Sequence, residues 1–592
     1  MQFKNFEAIS KNKKESAFIM RKQTKIVAVA SAAAILAIGA SMTSFAATGW
    51  VEESGEWYYY DKDGVRVEDE WKKSGDSWYW LDSEESGAMA MDKLIDDGDN
   101  SYYVDSTGKM ATNTWVKVVN EDQDEDDDPA EYNYYYMQSN GKAYKASSTT
   151  TNTRFKTIDG KKYAFNEDGK MLYGWVNESA ERISDEDGWS DEGTYYLGAW
   201  DDGAMKTGWQ KIYVHDNIED DDMDHWFYFK SNGKKEVAGA SDDNLKEKKV
   251  NGKKYGFDER GVMVYEWTLA SDSDPATSSN WKYFNSPEDG ARMTKGWFKV
   301  VAPTEDNTFA KATGTFASKD SDDESERWYY ADGDGILAAG QIKKIKGKYY
   351  GFREENTEKS AAMLTGLCLL EVDPSSGDIL TTIEADMDSD TLDDIIDDKG
   401  KFANLGENVS LYYFGNNADS DGAMKTGSTT VTLDGDSYGF MFSKSGGVEG
   451  KGRGLNGIDD NKYIYKYGLK MKASSEDKYR VIRVTSAVAG GSVDTGSAGV
   501  IVEKLSSKDI RGVKYTGLVS SSDTNKSKET VRAITGFTSD DYLVNTSGAI
   551  SKKKTAAKDG DDWYFYVKSD KTIAQYTSNK DLKDTIYADW DN

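Results

Sequence analysis

Aromatic and aliphatic residues in this chain come in short runs that alternate with polar residues and are bounded by Gly, Asp, Asn and Ser. From residue 48 the text reads "TGWVEESGEWYYYDKDGVRVEDEW", then "WKKSGDSWYWLDSEESGAMAMDKL", then "IDDGDNSYYVDSTGKMATNTW". Each unit has an aromatic-bearing run, a polar Gly turn, a second run of the W-Y-Y type and a D-x-D-G or S-G turn. Period-two alternation between turn formers predicts β-hairpins of about 20 residues each. A lone hairpin is marginal in water, so the pattern predicts an all-β chain whose successive hairpins stack and bury their aromatic faces on one another.

A longer period lies above this one. "IDGKKYAFNEDGKMLYGW" is repeated as "VNGKKYGFDERGVMVYEW" and, more loosely, as "IKGKYYGFREENTEKSAAMLTG", with Gly160, Gly252 and Gly347 in equivalent turns 92 and 95 residues apart. Each such period holds one short hairpin and two lengthened ones, the latter carrying acidic insertions such as "NEDQDEDDDPAE", "HDNIEDDDMDH" and "SKDSDDESER". Unequal lengths at equivalent turns place these insertions in solvent, where loop length costs little. The phrase "GAMKTG" occurs twice, followed by Trp209 in one copy and Ser428 in the other. The second copy is expected to keep its hairpin and lose its exposed indole. The organisation that follows is a leader and signal peptide at 1–46, tandem hairpin repeats at 47–430, degenerate repeats at 431–480, a Ser/Thr/Val/Gly-rich β region at 481–545, and a degenerate C-terminal repeat at 546–592.

Composition narrows the class. The 592 residues include 37 Tyr, 20 Phe, 17 Trp and 55 Gly, enough for many small aromatic cores and not for one large aliphatic core. With 104 acidic against 74 basic residues and a net charge of −30, nucleic acid and anionic membranes are excluded as partners, since both require a cationic surface. One cysteine excludes a disulfide framework, and Cys368 reads as a small buried apolar residue. Near the N-terminus, Arg21, Lys22 and Lys25 precede the apolar run "IVAVASAAAILAIGA" and the small residues Ser44, Ala46 and Ala47, an export signal cleaved after Ala46. No second apolar segment has spanning length, so no transmembrane anchor is expected in the mature protein. Any attachment to the cell surface would then be non-covalent.

The segments "TGWVEESGEWYYYDKDG", "GDSWYWLDSEESGAMA", "HWFYFKSNGK" and "DDGAMKTGW" resemble the choline-binding, or cell-wall-binding, repeats of Gram-positive surface proteins, and more loosely the glucan-binding repeats of glucosyltransferases. The resemblance extends over about residues 48–475 and faintly over 555–580. It implies a left-handed β-solenoid with about three hairpins per turn, in which choline sits between consecutive hairpins in an aromatic cage. It also implies a secreted protein held at the cell wall by choline-substituted teichoic acid or another cell-wall glycan.

A quaternary ammonium has no N–H to donate, so a protein holds it with π faces worth roughly 0.5–2 kcal/mol each. The sequence supplies such faces in pairs: Trp50 with Trp57, Trp71 with Trp78, Trp115 with Tyr134, Trp175 with Tyr195, Trp209 with Trp226, Trp267 with Trp281, and Trp297 with Trp328. In "WYYY", alternation puts Trp57 and Tyr59 on one face and Tyr58 and Tyr60 on the other. One face is needed for stacking, so the Tyr positions read as structural and the paired Trp positions as ligand faces. Met89, Met110, Met205, Met293 and Met424, in the "GAM" or "GxM" slot, read as packing residues that also floor a cage. Aromatic platforms equally suit the CH faces of sugars, so a glucan or peptidoglycan ligand stays open, as does a purely structural surface protein.

Other chemistry is sparse. There is no G-x-S-x-G, H-E-x-x-H or Cys/His arrangement, and the chain reads as non-catalytic, without a cofactor. The two histidines, His215 and His225, flank an acidic insertion and read as part of a solvated loop. "DMDSDTLDDIID" sets Asp386, Asp388, Asp390, Asp394 and Asp397 at positions 1, 3, 5, 9 and 12 of an EF-hand-like calcium loop. Against that, Thr391 stands where the loop wants Gly, and the alternative is an acidic insertion between hairpins.

Overall fold

The computed structural model describes residues 48–124, 128–146, 152–271, 274–292, 296–312, 314–320, 324–445, 450–505, 510, 518–519, 531–534, 536–552 and 554–578. The leader and signal peptide at 1–46, Met293, much of 506–530 and the residues after 578 lie outside this set. Among the described residues the protein is nearly all β, with two short α-helices, Gly188–Asp191 and Ser389–Ile396. None of the described helices is long and apolar enough to cross a membrane. The chain forms two compact units, one of residues up to Gln210 with Phe229–Lys235, the other of Lys211–Tyr228 with Glu236 onward.

The first unit opens with a five-stranded sheet in the order Gly49–Glu53, Glu56–Tyr60, Ala88–Met89, Ser77–Asp82, Glu70–Ser74. Antiparallel two-stranded hairpins follow at Lys93–Asp97 with Asn100–Val104, Thr114–Val119 with Tyr132–Met137, Lys156–Ile158 with Lys161–Tyr163, and Trp175–Val176 with Tyr195–Tyr196. The second unit continues with hairpins Lys246–Val250 with Lys253–Phe257, Trp267–Leu269 with Trp281–Tyr283, Gly296–Val301 with Glu326–Ala331, and Gln341–Ile345 with Lys348–Phe352. The tight turns explain the register. Ser54–Gly55, Asp159–Gly160, Asn251–Gly252 and Lys346–Gly347 all have positive φ at both central residues, which matches the right-handed twist of the flanking strands.

Two devices join one hairpin to the next. After the second strand the chain turns on an Asp or Asn whose side chain caps the turn, as when Asp105 Oδ1 accepts from the Thr107 and Lys109 N–H groups (2.8 and 3.0 Å). The residue that follows then donates its backbone N–H to the hairpin before: Met110 to Trp78 O (2.9 Å), Met171 to Tyr134 O (2.8 Å) and Met205 to Lys162 O (2.8 Å) in the first unit. In the second unit Met263 donates to Trp226 O (2.8 Å), Met363 to Trp328 O (2.9 Å) and Met424 to Tyr349 O (2.8 Å).

The side chain of this clasping residue lies against the glycine of a following turn, making a ladder: Met89 on Gly108, Met110 on Gly141, Met171 on Gly203, Met205 on Gly233, Met263 on Gly290, Met363 on Gly422 and Met424 on Gly452. A Cβ on Gly141 would fall 2.5 Å from Met110 Sδ, and Gly141 has φ +82°. Gly141→Ala should therefore destabilise the first unit by about 2–4 kcal/mol, combining backbone strain with overpacking. Gly98→Ala, at φ +60° with nothing within 4 Å, should lose only the backbone part, about 1–2 kcal/mol. Urea unfolding of the two variants checks this, and equal losses would remove the Met contact from the account.

The ladder explains the repeated phrase. In both copies of "GAMKTG" the Gly receives a preceding Met, the Met reaches a later Gly, and Lys206 and Lys425 pair with Asp202 and Asp421. Ser428 starts an intact hairpin, Gly427–Leu433 with Asp436–Phe442, where it is exposed opposite Met441. At the Met293 position expected for the slot, the clasp is instead Arg292, whose N–H donates to Lys254 O (2.7 Å) and whose guanidinium lies against Gly335. Its side chain is fully buried, with Nε 2.8 Å from Glu247 Oε1.

Beyond Leu364 the second unit departs from simple hairpins. Leu367–Val372 is the centre of a three-stranded sheet between Ile379–Glu384 and Val409–Tyr413. Cys368 is buried there, and desolvation pushes its thiol up to about 12. Strands Tyr479–Ser486, Val500–Leu505 and Asp541–Asn545 form another three-stranded sheet. Val484, Val502 and Val544 from it share a core with Leu369, Leu392, Phe440 and Ile464, so this Val-rich region packs with the repeats before it.

The insertions do not all project into solvent. Phe309, Phe316 and Ala317 are buried, as is Trp189 of the first unit, because each insertion contains apolar residues that return to the hairpin it interrupts. The histidine insertion is an extension of strands Gly208–Asp216 and Asp221–Phe229 rather than a loop. His225 is buried, its Nε2 2.6 Å from Asp216 Oδ2. Arg260 donates to Asp216 (2.8 Å) and to Asp258 (2.9 Å).

Candidate functional site

Hairpin register sets which aromatic rings meet. Trp50 lies opposite Tyr59, Trp71 opposite Trp80, Trp115 opposite Tyr136 and Trp297 opposite Tyr330. The partners expected from the sequence, Trp57, Trp78, Tyr134 and Trp328, stand two residues earlier on the second strand and therefore on the same face. The opposite face is used differently. Tyr58 and Tyr60 hold the Arg66 guanidinium, 3.8 and 5.6 Å from the ring centroids, while Arg66 also pairs with Glu53 (2.7 Å).

Each of these four Trp faces meets a Tyr from the following hairpin edge-on. The centroid separations and interplanar angles are 5.4 Å and 73° for Trp50–Tyr79, 5.1 Å and 61° for Trp71–Tyr102, 4.9 Å and 67° for Trp115–Tyr163, and 4.8 Å and 68° for Trp297–Tyr350. Trp57 and Met89 pack with Trp50 and Tyr79 in one cluster, and Met363 packs with Trp297 and Tyr350 in another. Trp328 stands 6.2 Å from Trp297 at 83°. The result is four partly exposed aromatic corners, each built from two consecutive hairpins, with Trp78 the most open ring at 40% exposure.

Carboxylates fix the indole edges. The N–H of Trp71 donates to Asp97 (3.2 Å), that of Trp226 to Glu288 (3.4 Å) and that of Trp328 to Asp419 (2.8 Å). Trp328 and Lys299 hold the Asp419 carboxyl below its ordinary value. An ionised carboxylate beside a ring edge keeps the ring in place and adds negative potential to its surroundings.

The remaining pairs differ. Trp267 and Trp281 are 1% and 0% exposed, in a core with Phe298, Phe316 and Tyr329. Their indole N–H groups donate to Val301 O and Pro275 O, both at 2.8 Å. The insertion carrying Phe316 fills the space that is open at the other corners, so neither ring offers a free face. Trp175 and Tyr195 are not brought together: Trp175 lies opposite Tyr196, and Tyr195 points to the other face, packing with Leu172, Val176 and Leu197. Trp209 belongs to the first unit and Trp226 to the second.

The calcium loop expected at 386–397 is a helix. Asp388 caps Ser389–Ile396 by accepting from the Thr391 N–H (2.7 Å), and Leu392, Ile395 and Ile396 are buried. The apolar spacing "LDDII" wins over the alternating aspartates, because burying three aliphatic side chains requires a helical turn. Asp394 and Asp397 pair with Lys399 (3.3 and 3.2 Å), and Asp386 with Arg353 and Lys359 (both 3.4 Å). Among the described residues, no three of Asp386, Asp388, Asp390, Asp394 and Asp397 converge on one point.

The sequence reading missed Tyr79, Tyr102, Tyr163 and Tyr350, the far wall of each corner. The signal was present: each stands on the second strand of the next hairpin, on the face that alternation turns back toward the preceding one. Trp189, within an acidic insertion, carries no such periodic mark.

Part of the chain is similar to known proteins. Residues 48–65, 69–89, 153–171 and 219–235 match a putative cell wall binding repeat. Glucosyltransferase-S of Streptococcus mutans serotype c is 24% identical over 222 residues, 36% of this chain and 12% of that protein. Among solved structures, the modular autolysin LytC of Streptococcus pneumoniae, in complex with a synthetic peptidoglycan ligand, is 18% identical and covers 53% of each chain with a TM-score of 0.28. Choline binding protein F of Streptococcus pneumoniae is 17% identical and covers 72% of this chain and all of its own, with a TM-score of 0.19. The chain spans about half of the first of these structures and a far smaller part of the glucosyltransferase. Four stretches of these clasped aromatic hairpins therefore carry the cell-wall-binding repeat of the choline-binding type.

Proposed function

We propose that this is an exported, non-catalytic surface protein that attaches non-covalently to choline-bearing cell-wall polymers. Within each unit the hairpins would stack as a left-handed solenoid with about three per turn, each open corner taking one quaternary ammonium group. The observation that carries this reading is one geometry, a Trp of one hairpin set edge-on at 4.8–5.4 Å to a Tyr of the next, at four places where the Trp stays partly exposed. Trp267 meets Tyr329 in the same way (5.3 Å, 82°) but is buried. Two or three π faces of this kind, at roughly 0.5–2 kcal/mol each, sum to at most about 6 kcal/mol, so a single site is weak, no tighter than tens of micromolar. Several sites on one polymer strengthen each other through effective concentration. The residues proposed to touch the ligand are Trp50, Trp57 and Tyr79; Trp71, Trp78 and Tyr102; Trp115, Tyr134 and Tyr163; and Trp297, Trp328 and Tyr350. Trp267 and Trp281 are assigned to the core.

The test is retention of the full mature protein on a resin bearing choline-like tertiary or quaternary amines, with elution by free choline. Elution at millimolar choline is the expected result. Passage through that resin together with retention on glucan or purified wall would replace choline by a sugar ligand. Passage through all of them would leave the repeats a structural role.

A further inference from the structure

We propose that the corner at Trp175 is a primary-ammonium site occupied by the chain's own Lys235. This deepens the cation-holding reading of the aromatic corners and rests on it. Lys235 stands in the clasp slot that elsewhere holds Met110 or Met171. Its backbone N–H donates to Thr194 O (2.8 Å), as Met110 does to Trp78 O (2.9 Å). The aromatic scaffold is also kept: Trp175 faces Tyr196 across the hairpin (5.2 Å) and Phe229 of the next strand pair (5.8 Å), as Trp115 faces Tyr136 (5.4 Å) and Phe165 (5.7 Å).

What differs is the occupant and the roof. The Lys235 ammonium lies 5.2 Å from the Trp175 centroid and 5.8 Å from that of Trp189, which the insertion's helix Gly188–Asp191 brings over the site. The same helix turns two carbonyls inward, and Nζ donates to Trp189 O (2.7 Å) and Ser190 O (3.3 Å). Trp175, Trp189 and Lys235 are 9%, 2% and 6% exposed. A buried ammonium is tolerated only when its donors are satisfied, and here carbonyls and π faces together do that. The two carbonyls also set the chemistry. They require N–H donors, which a primary ammonium has and a quaternary one lacks. The corner is thus closed to choline, and the insertion between Trp175 and Tyr195 is pinned without any external ligand.

The experiment uses the full chain with Lys235→Ala, which removes three carbons and the ammonium, titrated calorimetrically with propylammonium and with trimethylpropylammonium. The expected result is one propylammonium bound per chain that the unaltered protein does not bind, with the unfolding midpoint moving back toward the parent's, and no such effect of the quaternary analogue. A folded variant that binds neither, or that prefers the quaternary ion, overturns the proposal. If Lys235→Ala fails to fold, the unaltered protein still decides. One lysine ε-methylene resonance, identified by its loss in Lys235→Met, should be shifted upfield by the two indole rings and stay there in saturating choline. An ordinary shift, or one that choline restores to ordinary, overturns the proposal. Failure on the choline resin with propylammonium rescue intact would instead remove the attachment reading and leave this one standing.

Discussion

Replacing Trp50, Trp71, Trp115 and Trp297 together by leucine should abolish retention on choline resin while leaving the hairpins folded. Each indole is the forward wall of one open corner, 4.8–5.4 Å from the Tyr of the next hairpin. Losing one face costs roughly 0.5–2 kcal/mol, which is about 2- to 30-fold in affinity at that site. Sites that act together on one polymer multiply, so the fourfold variant loses both intrinsic affinity and an avidity gain of about 10²–10⁴. Leucine is chosen because the protein uses it at this position: Leu94 holds the equivalent place in the short hairpin Lys93–Asp97 with Asn100–Val104, opposite Tyr103. A folded variant still eluting at the parent's choline concentration would remove these corners from the attachment. A matched Trp267→Leu variant should lose stability and not change elution, because that ring is buried with its N–H on Val301 O.

Arg260→Met should destabilise the second unit by about 3–5 kcal/mol, the cost of removing one partner from a buried ionic network. Arg260 is 7% exposed and bridges Asp216 and Asp258, while His225 contacts the other oxygen of Asp216. Burial alone would raise the Asp216 carboxyl. The His225 ring, the Ile218 N–H and Arg260 outweigh it and hold the carboxyl well below the usual range. Because its folded value is depressed, Asp216 contributes stability above the unfolded carboxylate value, roughly pH 4, and loses it as pH falls toward the folded value. The parent should therefore weaken on acidification below about pH 4. The variant keeps His225 and the Ile218 N–H but loses the Arg260 contribution, so it should show a flatter acid limb as well as a lower plateau. Urea unfolding across pH, with hydrogen exchange to locate the affected strands, measures both. A variant whose acid limb runs parallel to the parent's would show that Arg260 does not set the Asp216 carboxyl.

The hairpins and the Trp-bearing strand of each open corner were legible in the residues, and for a local reason; the Tyr wall from the next hairpin was not read. Alternation over four or five positions, a two-residue turn such as Asn251–Gly252, and a Trp at the second position of a strand are all short-range facts. The face on which Trp57 and Tyr59 stand follows from period two alone. The repeated "GAMKTG" was legible as scaffold as well, since its Gly and Met recur wherever a turn must receive one side chain and send another onward.

Where the reading failed, a distant segment had changed the surroundings of a correct local pattern. Trp267 and Trp281 carry the same marks as Trp297 and Trp328, yet Phe316 arrives from an insertion and buries them. Trp175 has a proper strand position, but Trp189 covers it and Lys235, 60 residues on, enters it. The aspartates at 386–397 spell a loop until Leu392, Ile395 and Ile396 find a core and wind the segment into a helix. Sequence by itself determined the repeating unit, its turns and its aromatic faces, because those are set within one hairpin. Only the tertiary structure decided which faces stay open, because that depends on how each insertion spends its few apolar residues.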